Sequence, residues 1–154
     1  MMSTTLPLQD FGPMSVNDAL NWMCGDIIAE GAYRKVFPYG PDPSRFVVKW
    51  EKGVTRFCNI TEYQIWEELC ETEIGKWLAP VRSLSPCGIW LLQERCMPMG
   101  LADRPKRVPE FFADIKPENW GLLGGKPVCF DYGNHALFTK AARRSRLKTV
   151  YWLR

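Results

Sequence analysis

Between residues 27 and 94 the apolar residues change their period twice, and that double change restricts the fold more than any other feature of the chain. Ile27 and Ile28, Lys35 to Phe37, and Phe46 to Trp50 are short β-prone runs, separated by Gly31 and by the turn-rich YGPDPS stretch from Tyr39 to Ser44. From Thr61 to Leu78 the spacing becomes helical, with Tyr63, Trp66, Cys70, Ile74 and Trp77 three or four residues apart. Asn59 and Thr61 are both candidate caps for that helix. Strand character returns at Val81 to Leu84 and Ile89 to Glu94, around a Ser-Pro-Cys-Gly turn. A meander, a helix and a further hairpin predict an α+β fold built on an antiparallel sheet.

The flanks add less. Residues 1–14 read as a lead-in, and Ser15 to Met23 as a short helix with Ser15 as its cap and Val16, Leu20 and Met23 on one face. Downstream, Met97 to Pro109 is rich in proline and base and reads as a connector. Short strands at Trp120 to Leu123 and Val128 to Phe130 flank Gly124 and Gly125, and a last helix is expected from about Phe138 to Trp152. Residues 15–154 should form a single compact domain.

With 46% apolar residues in 154, a buried core needs no staples. No apolar run exceeds four residues, as at Ile89 to Leu92, whereas a bilayer helix needs about 20. Six cysteines are scattered without a CxxC pair and His135 is the sole histidine, which excludes the usual zinc frameworks. Reduced, mostly buried thiols and a cytoplasmic location, with no membrane contact, are the expectation. Net charge is +3, but residues 139–154 alone hold Lys140, Arg143, Arg144, Arg146, Lys148 and Arg154 with no acid, which leaves the body at −3. Such a tail docks on the body, is solvated, or meets an acidic partner; with Tyr151 and Trp152 it combines charge and stacking surface as a nucleic-acid contact would.

Chemistry concentrates in the segment DIKPENWG, Asp114 to Gly121, followed by Asp131, Tyr132 and Gly133. Asp114 and Asn119 lie five apart on a tight proline-containing loop, and a hairpin should return Asp131 close to Asn119. An amide oxygen and a carboxylate are hard ligands suited to Mg²⁺ held jointly with substrate phosphates. Asp114, off the metal, can accept a proton, and Lys116 can neutralise charge on a transferring phosphoryl group.

This pattern resembles the protein-kinase superfamily, whose catalytic loop carries Asp, then Lys two residues on and Asn five residues on, followed by a DFG-type triplet. Asp114, Lys116 and Asn119 match the loop, and Asp131, Tyr132 and Gly133 match the triplet after a step of 12 residues. Phe46, Val47, Val48 and Lys49 resemble the strand that presents the phosphate-pairing lysine. Glu30 to Phe37 resemble the glycine-rich hairpin, with Gly31 retained, Ala29 and Arg34 at two glycine positions, and Arg34 or Lys35 available for phosphate. The resemblance implies a carboxylate partner for Lys49 on the following helix: Glu62, with Glu67 in reserve and a capping box with Asn59 as the competing use of Glu62. It also implies a hinge after Leu91 and Leu92, with Gln93 as gatekeeper and the backbone of Glu94 and Cys96 meeting adenine.

On this resemblance, residues 15–96 form an N-lobe sheet with one helix, 97–138 the hinge and a much reduced catalytic lobe, and 139–154 a basic C-terminal helix. Only 13 residues separate Gly100 from Asp114, too few for the usual helices, and Phe112 and Ala113 stand where His and Arg normally precede the catalytic Asp. The economy is similar to that of compact kinase-like proteins of bacteria and their viruses, some active and some inert. ATP and Mg²⁺ are the implied cofactors, and the acceptor is a host protein or another hydroxyl compound. The alternative is an inert kinase-shaped module, in which Phe111, Phe112, Phe138, Tyr151 and Trp152 need cover from a partner or a dimer mate.

Overall fold

The computed structural model describes residues 24–53, 56–113, 115–133 and 145–152. The expected lead-in, the helix from Ser15 to Met23, Asp114 and Phe138 lie outside the described residues. The architecture is mixed α+β with antiparallel sheets. It divides into two compact units, Met1–Tyr63 with Val81–Arg95, and Gln64–Pro80 with Cys96–Arg154. No helix among the described residues is long and apolar enough to cross a membrane.

The first unit is a five-stranded antiparallel sheet of β1 (Ala29–Glu30), β2 (Arg34–Pro38), β3 (Phe46–Glu51), β4 (Val81–Leu84) and β5 (Trp90–Glu94), in the order β1-β2-β3-β5-β4. Strand alternation sorts its side chains. On one face Phe46 and Val48 of β3 pack with Trp90 and Leu92 of β5 and with Tyr39, while Trp50, Ile89 and Cys24 close the cluster's margin. The opposite face takes the other residues: Arg34 lies across from Glu51, Val36 from Lys49, Lys49 from Leu91 and Val47 from Gln93. On that face Arg34, Lys49, Glu51 and Gln93 are buried polar groups that must find partners inside.

Helix α1 (Cys58–Leu69) follows β3 and is shorter at one end, and earlier at the other, than the period of Thr61 to Leu78 predicts. It starts early because the buried Glu51 carboxylate accepts the amides of Cys58 (3.0 Å) and Asn59 (3.1 Å), so the cap comes from a strand and not from Asn59 or Thr61. It stops early because Thr72 donates to the Leu69 carbonyl through both its amide (2.9 Å) and its hydroxyl (2.7 Å). Gly75 then folds back so closely that a β-carbon there would overlap the carbonyls of Leu69 and Cys70. Ile74 and Trp77, expected on the helix, fall at and within a single 3-10 turn, Gly75–Trp77.

In the second unit β6 (Met97–Pro98), β8 (Trp120–Leu123) and β9 (Lys126–Cys129) form a three-stranded sheet, and β7 (Arg107–Pro109) pairs with β10 (Leu147–Thr149). Gly124 and Gly125 both have positive φ, 57° and 76°, the two-residue turn whose twist suits a hairpin. β10 corrects two expectations: residues 147–149 are strand, not helix, and the connector Met97 to Pro109 contributes strands of its own. The reason is a long-range partner. β10 finds β7, Lys148 Nζ donates to the Phe112 carbonyl at 2.5 Å, and the Trp152 indole donates to the Pro105 carbonyl at 2.9 Å. Trp120 is surrounded edge-on by Trp77, Phe112 and Trp152 at 6.4, 4.9 and 5.6 Å. Phe111 and Phe112 are therefore covered from within, whereas Tyr151 is 87% exposed. All six cysteines are free, and only Cys58 and Cys129 are buried, fewer than expected.

Candidate functional site: a buried lysine–glutamate pair and an Asn119–Asp131 loop

The first unit holds a buried ionic cluster. Lys49 Nζ lies 2.5 Å from Glu62 Oε1, with the two side chains 3% and 0% exposed. Strand β3 delivers Lys49 to the face on which α1 delivers Glu62, one turn after the Glu51-capped start of the helix. Glu62 is thus held by Lys49 and does not form a capping box with Asn59. Glu67, the reserve partner, is exposed.

Asn59 has a different task. Its side-chain amide donates to the carbonyls of Lys49 (3.1 Å) and Ile89 (2.8 Å), which ties the first turn of α1 to β3 and to the residue before β5. Its Oδ1 accepts from Arg34 Nη1 at 3.3 Å, and Arg34 Nη2 reaches Glu62 Oε2 at 3.1 Å. Arg34 is therefore turned inward onto α1, where the resemblance offered either Arg34 or Lys35 for phosphate. Lys35 lies on the other face, 5.7 Å from the Trp50 ring and 3.8 Å from Glu30. Gln93, expected as gatekeeper, is fully buried with Nε2 3.4 Å from Glu62 Oε1. Burial pushes the Glu62 carboxyl upward, but Arg34 and then Lys49 more than offset this and hold it below the ordinary glutamate range.

Gly31 closes the β1–β2 turn, its amide donating to the Arg34 carbonyl at 2.9 Å, and a β-carbon there would meet nothing nearer than that oxygen at 3.9 Å. Glu94 ends β5 opposite Phe46, its carboxylate paired with Arg82. Cys96 belongs to the second unit, where its β-carbon packs so near Gly121 that no side chain fits there.

In the second unit Lys116 is exposed and precedes the 3-10 turn Pro117–Asn119, where Pro117 supplies a preset φ and Asn119 N donates to the Lys116 carbonyl at 3.0 Å. The Asn119 carbonyl accepts from Phe130 N at 2.9 Å, so the β8–β9 hairpin brings the residue before Asp131 onto Asn119. Tyr132 is fully buried and anchors the triplet by donating its hydroxyl to the Ala79 carbonyl at 2.8 Å. An amide oxygen and a carboxylate at Asn119 and Asp131 are the donors Mg²⁺ prefers. No group of three or more His, Cys, Asp or Glu able to hold a metal forms among the described residues, so this pair would need a substrate's oxygens to complete a shell.

Sequence reasoning missed Glu51 and gave Arg34 and Asn59 the wrong tasks. The signal was present in the strand pattern: with Lys49 on the inner face, Glu51 two residues on and Arg34 opposite it must share that face. Compared with known proteins, the chain matches no family model and no curated sequence.

Proposed function

We propose that this chain is a minimal kinase-like protein that binds MgATP and transfers its terminal phosphoryl group to an acceptor hydroxyl. The observation that carries the reading is the buried Lys49–Glu62 pair, which joins the third strand of a sheet ordered β1-β2-β3-β5-β4 to the helix that follows it. A lysine held this way keeps a fixed position, and an ammonium is the kind of group that pairs with phosphate oxygens. Gly31 leaves open surface at the β1–β2 turn, and the backbone at Glu94 and Cys96 is assigned to the base. In the second unit Asn119 and Asp131 are assigned to Mg²⁺, which when bound neutralises phosphate charge. Asp114 orients the acceptor hydroxyl and takes its proton, and Lys116 stabilises charge on the moving phosphoryl group.

Radiolabelled ATP incubated with the native chain, Asp114→Ala and Asp131→Asn tests this directly. Incorporation should fall at least about a hundredfold in both variants. Equal incorporation in all three rejects the enzyme reading. A second reading, an inert kinase-shaped module that docks on a protein, draws on Met97, Leu101 and Tyr151 of the second unit, which are 66, 78 and 87% exposed. Absence of any thermal shift at millimolar MgATP favours it, because a nucleotide that binds only the folded state must raise Tm.

A further inference from the structure

In and just beyond β10, burial alternates residue by residue. Lys148, Val150 and Trp152 are half-buried, whereas Leu147, Thr149 and Tyr151 are exposed. Antiparallel pairing sets Arg107 of β7 across from Thr149, so these two share the outer face of the ribbon. Pro109, across from Leu147, is buried, and the open part of that face therefore runs from Arg107 and Thr149 toward Tyr151. Tyr151 is 87% exposed, yet the backbone on both sides of it is tied down. Val150 N donates to the Lys106 carbonyl at 3.0 Å, and the Trp152 indole holds the Pro105 carbonyl. The phenol ring thus stands out from a fixed ribbon. Charge around it is nearly all of one sign: residues 104–110 and 145–152 carry Arg104, Lys106, Arg107, Arg146 and Lys148 against Glu110 alone. Of these, Lys106, Arg107 and Arg146 are exposed. Arg107 gives the Leu147 carbonyl one bond, at 3.0 Å, from the five donors a guanidinium carries. Arg146 lies 3.6 Å from Glu110 in an exposed pair of the kind that contributes little.

We infer that the β7–β10 ribbon binds a single strand of nucleic acid, with a base stacked on Tyr151 and phosphates met by Lys106, Arg107 and Arg146. Cations alone would suit any polyanion. The exposed ring narrows the choice: an unpaired base has a free π-face to lay on it, whereas the bases of a duplex are closed within their own stack. A run of acidic side chains carries no ring at all. Arg146 and Tyr151 are five residues apart, about 17 Å along an extended strand, so the bound strand must run several nucleotides beyond the stacked base. The inference is independent of the phosphoryl-transfer reading and uses no residue assigned to that reaction.

The test titrates the full chain into a fluorescein-labelled strand of twelve thymidylates and follows fluorescence anisotropy. Three phosphate contacts give a slope of log affinity against log salt of about −2, so raising salt from about 50 to about 200 mM should weaken binding roughly twentyfold. Tyr151→Ala should weaken binding about tenfold at either salt with the slope unchanged, and Tyr151→Phe should restore it, because phenylalanine keeps the stacking face. Arg107→Gln and Arg146→Gln should each flatten the slope by about 0.7. Circular dichroism checks that each variant is folded. Arg146→Gln serves alone if Arg107→Gln, deprived of its bond to the Leu147 carbonyl, loses the ribbon. A duplex of the same length should bind more weakly and be indifferent to Tyr151→Ala. Three results overturn the inference: no binding of the strand at about 50 mM salt, an affinity that Tyr151→Ala leaves unchanged, or a slope that the arginine variants leave unchanged. Duplex bound more tightly than the single strand overturns it too. So does labelled polyglutamate bound as tightly as the strand, which would give the face to an acidic protein instead.

Discussion

Replacing Glu62 with Gln removes one charge and almost no volume, so its effect isolates the electrostatics of the cluster. At an effective dielectric constant near 20, each of the two nitrogen–oxygen contacts is worth on the order of 5 kcal/mol of gross attraction. Most of that gross attraction offsets the desolvation of a carboxylate and two cations that are buried together. What remains to be lost is the penalty for breaking both ion pairs while Lys49 and Arg34 stay buried, about 3–5 kcal/mol. For a chain of this size that corresponds to a fall in Tm of roughly 10 °C at pH 7. The pH dependence gives an internal control. The folded Glu62 carboxyl lies below its ordinary value, so its contribution is present above the unfolded pKa of about 4.3 and is lost as pH falls through the folded value. The Tm gap between native chain and Glu62→Gln should therefore be widest near pH 6 to 7 and narrow steadily below about pH 4.3. Thermal unfolding by circular dichroism from pH 7 down to pH 3 measures both quantities. A gap under about 2 °C at neutral pH, or one that stays constant down to pH 3, refutes the reasoning, because a buried carboxylate between two cations must show both signatures.

Gly75→Ala should destabilise the chain by about 1–3 kcal/mol, since its β-carbon overlaps backbone carbonyls that cannot move aside, and chemical denaturation with an unchanged slope checks it. Tyr132→Phe removes the buried bond to the Ala79 carbonyl and should cost about 1 kcal/mol in the same assay. Trp152→Ala takes away the indole bond to Pro105 and the edge packing on Trp120; a loss of about 2 kcal/mol is expected, whereas a free basic tail would give none. Toward a thiol reagent at pH 8 the exposed Cys87 should label first, and Cys24 slowly because burial pushes its thiol up to about 11. Cys58 and Cys129 should label only on unfolding, and mass mapping that finds either modified as fast as Cys87 contradicts their burial.

The sequence by itself determined the elements whose pattern is local. The strands at Phe46 to Trp50, Val81 to Leu84 and Trp120 to Leu123 stand where alternation and turn residues placed them, because period and turn chemistry are properties of neighbouring residues. The proximity of Asn119 to the residues before Asp131 through a glycine-turned hairpin was equally legible, whereas a carboxylate partner for Lys49 on the next helix, Glu62 with Glu67 in reserve, followed only from the resemblance. Tertiary structure decided whatever depends on a distant partner. Helical spacing continued through Ile74 and Trp77, yet the helix stopped at Leu69 because Thr72 and Gly75 fold the chain back on its last carbonyls. The basic segment around Lys148 became a strand because β7 offered it a ladder, and isolated helical propensity is too weak to compete with that. Arg34 likewise turned inward, since a carboxylate buried beneath its strand binds a guanidinium more strongly than open solvent can reward a surface position.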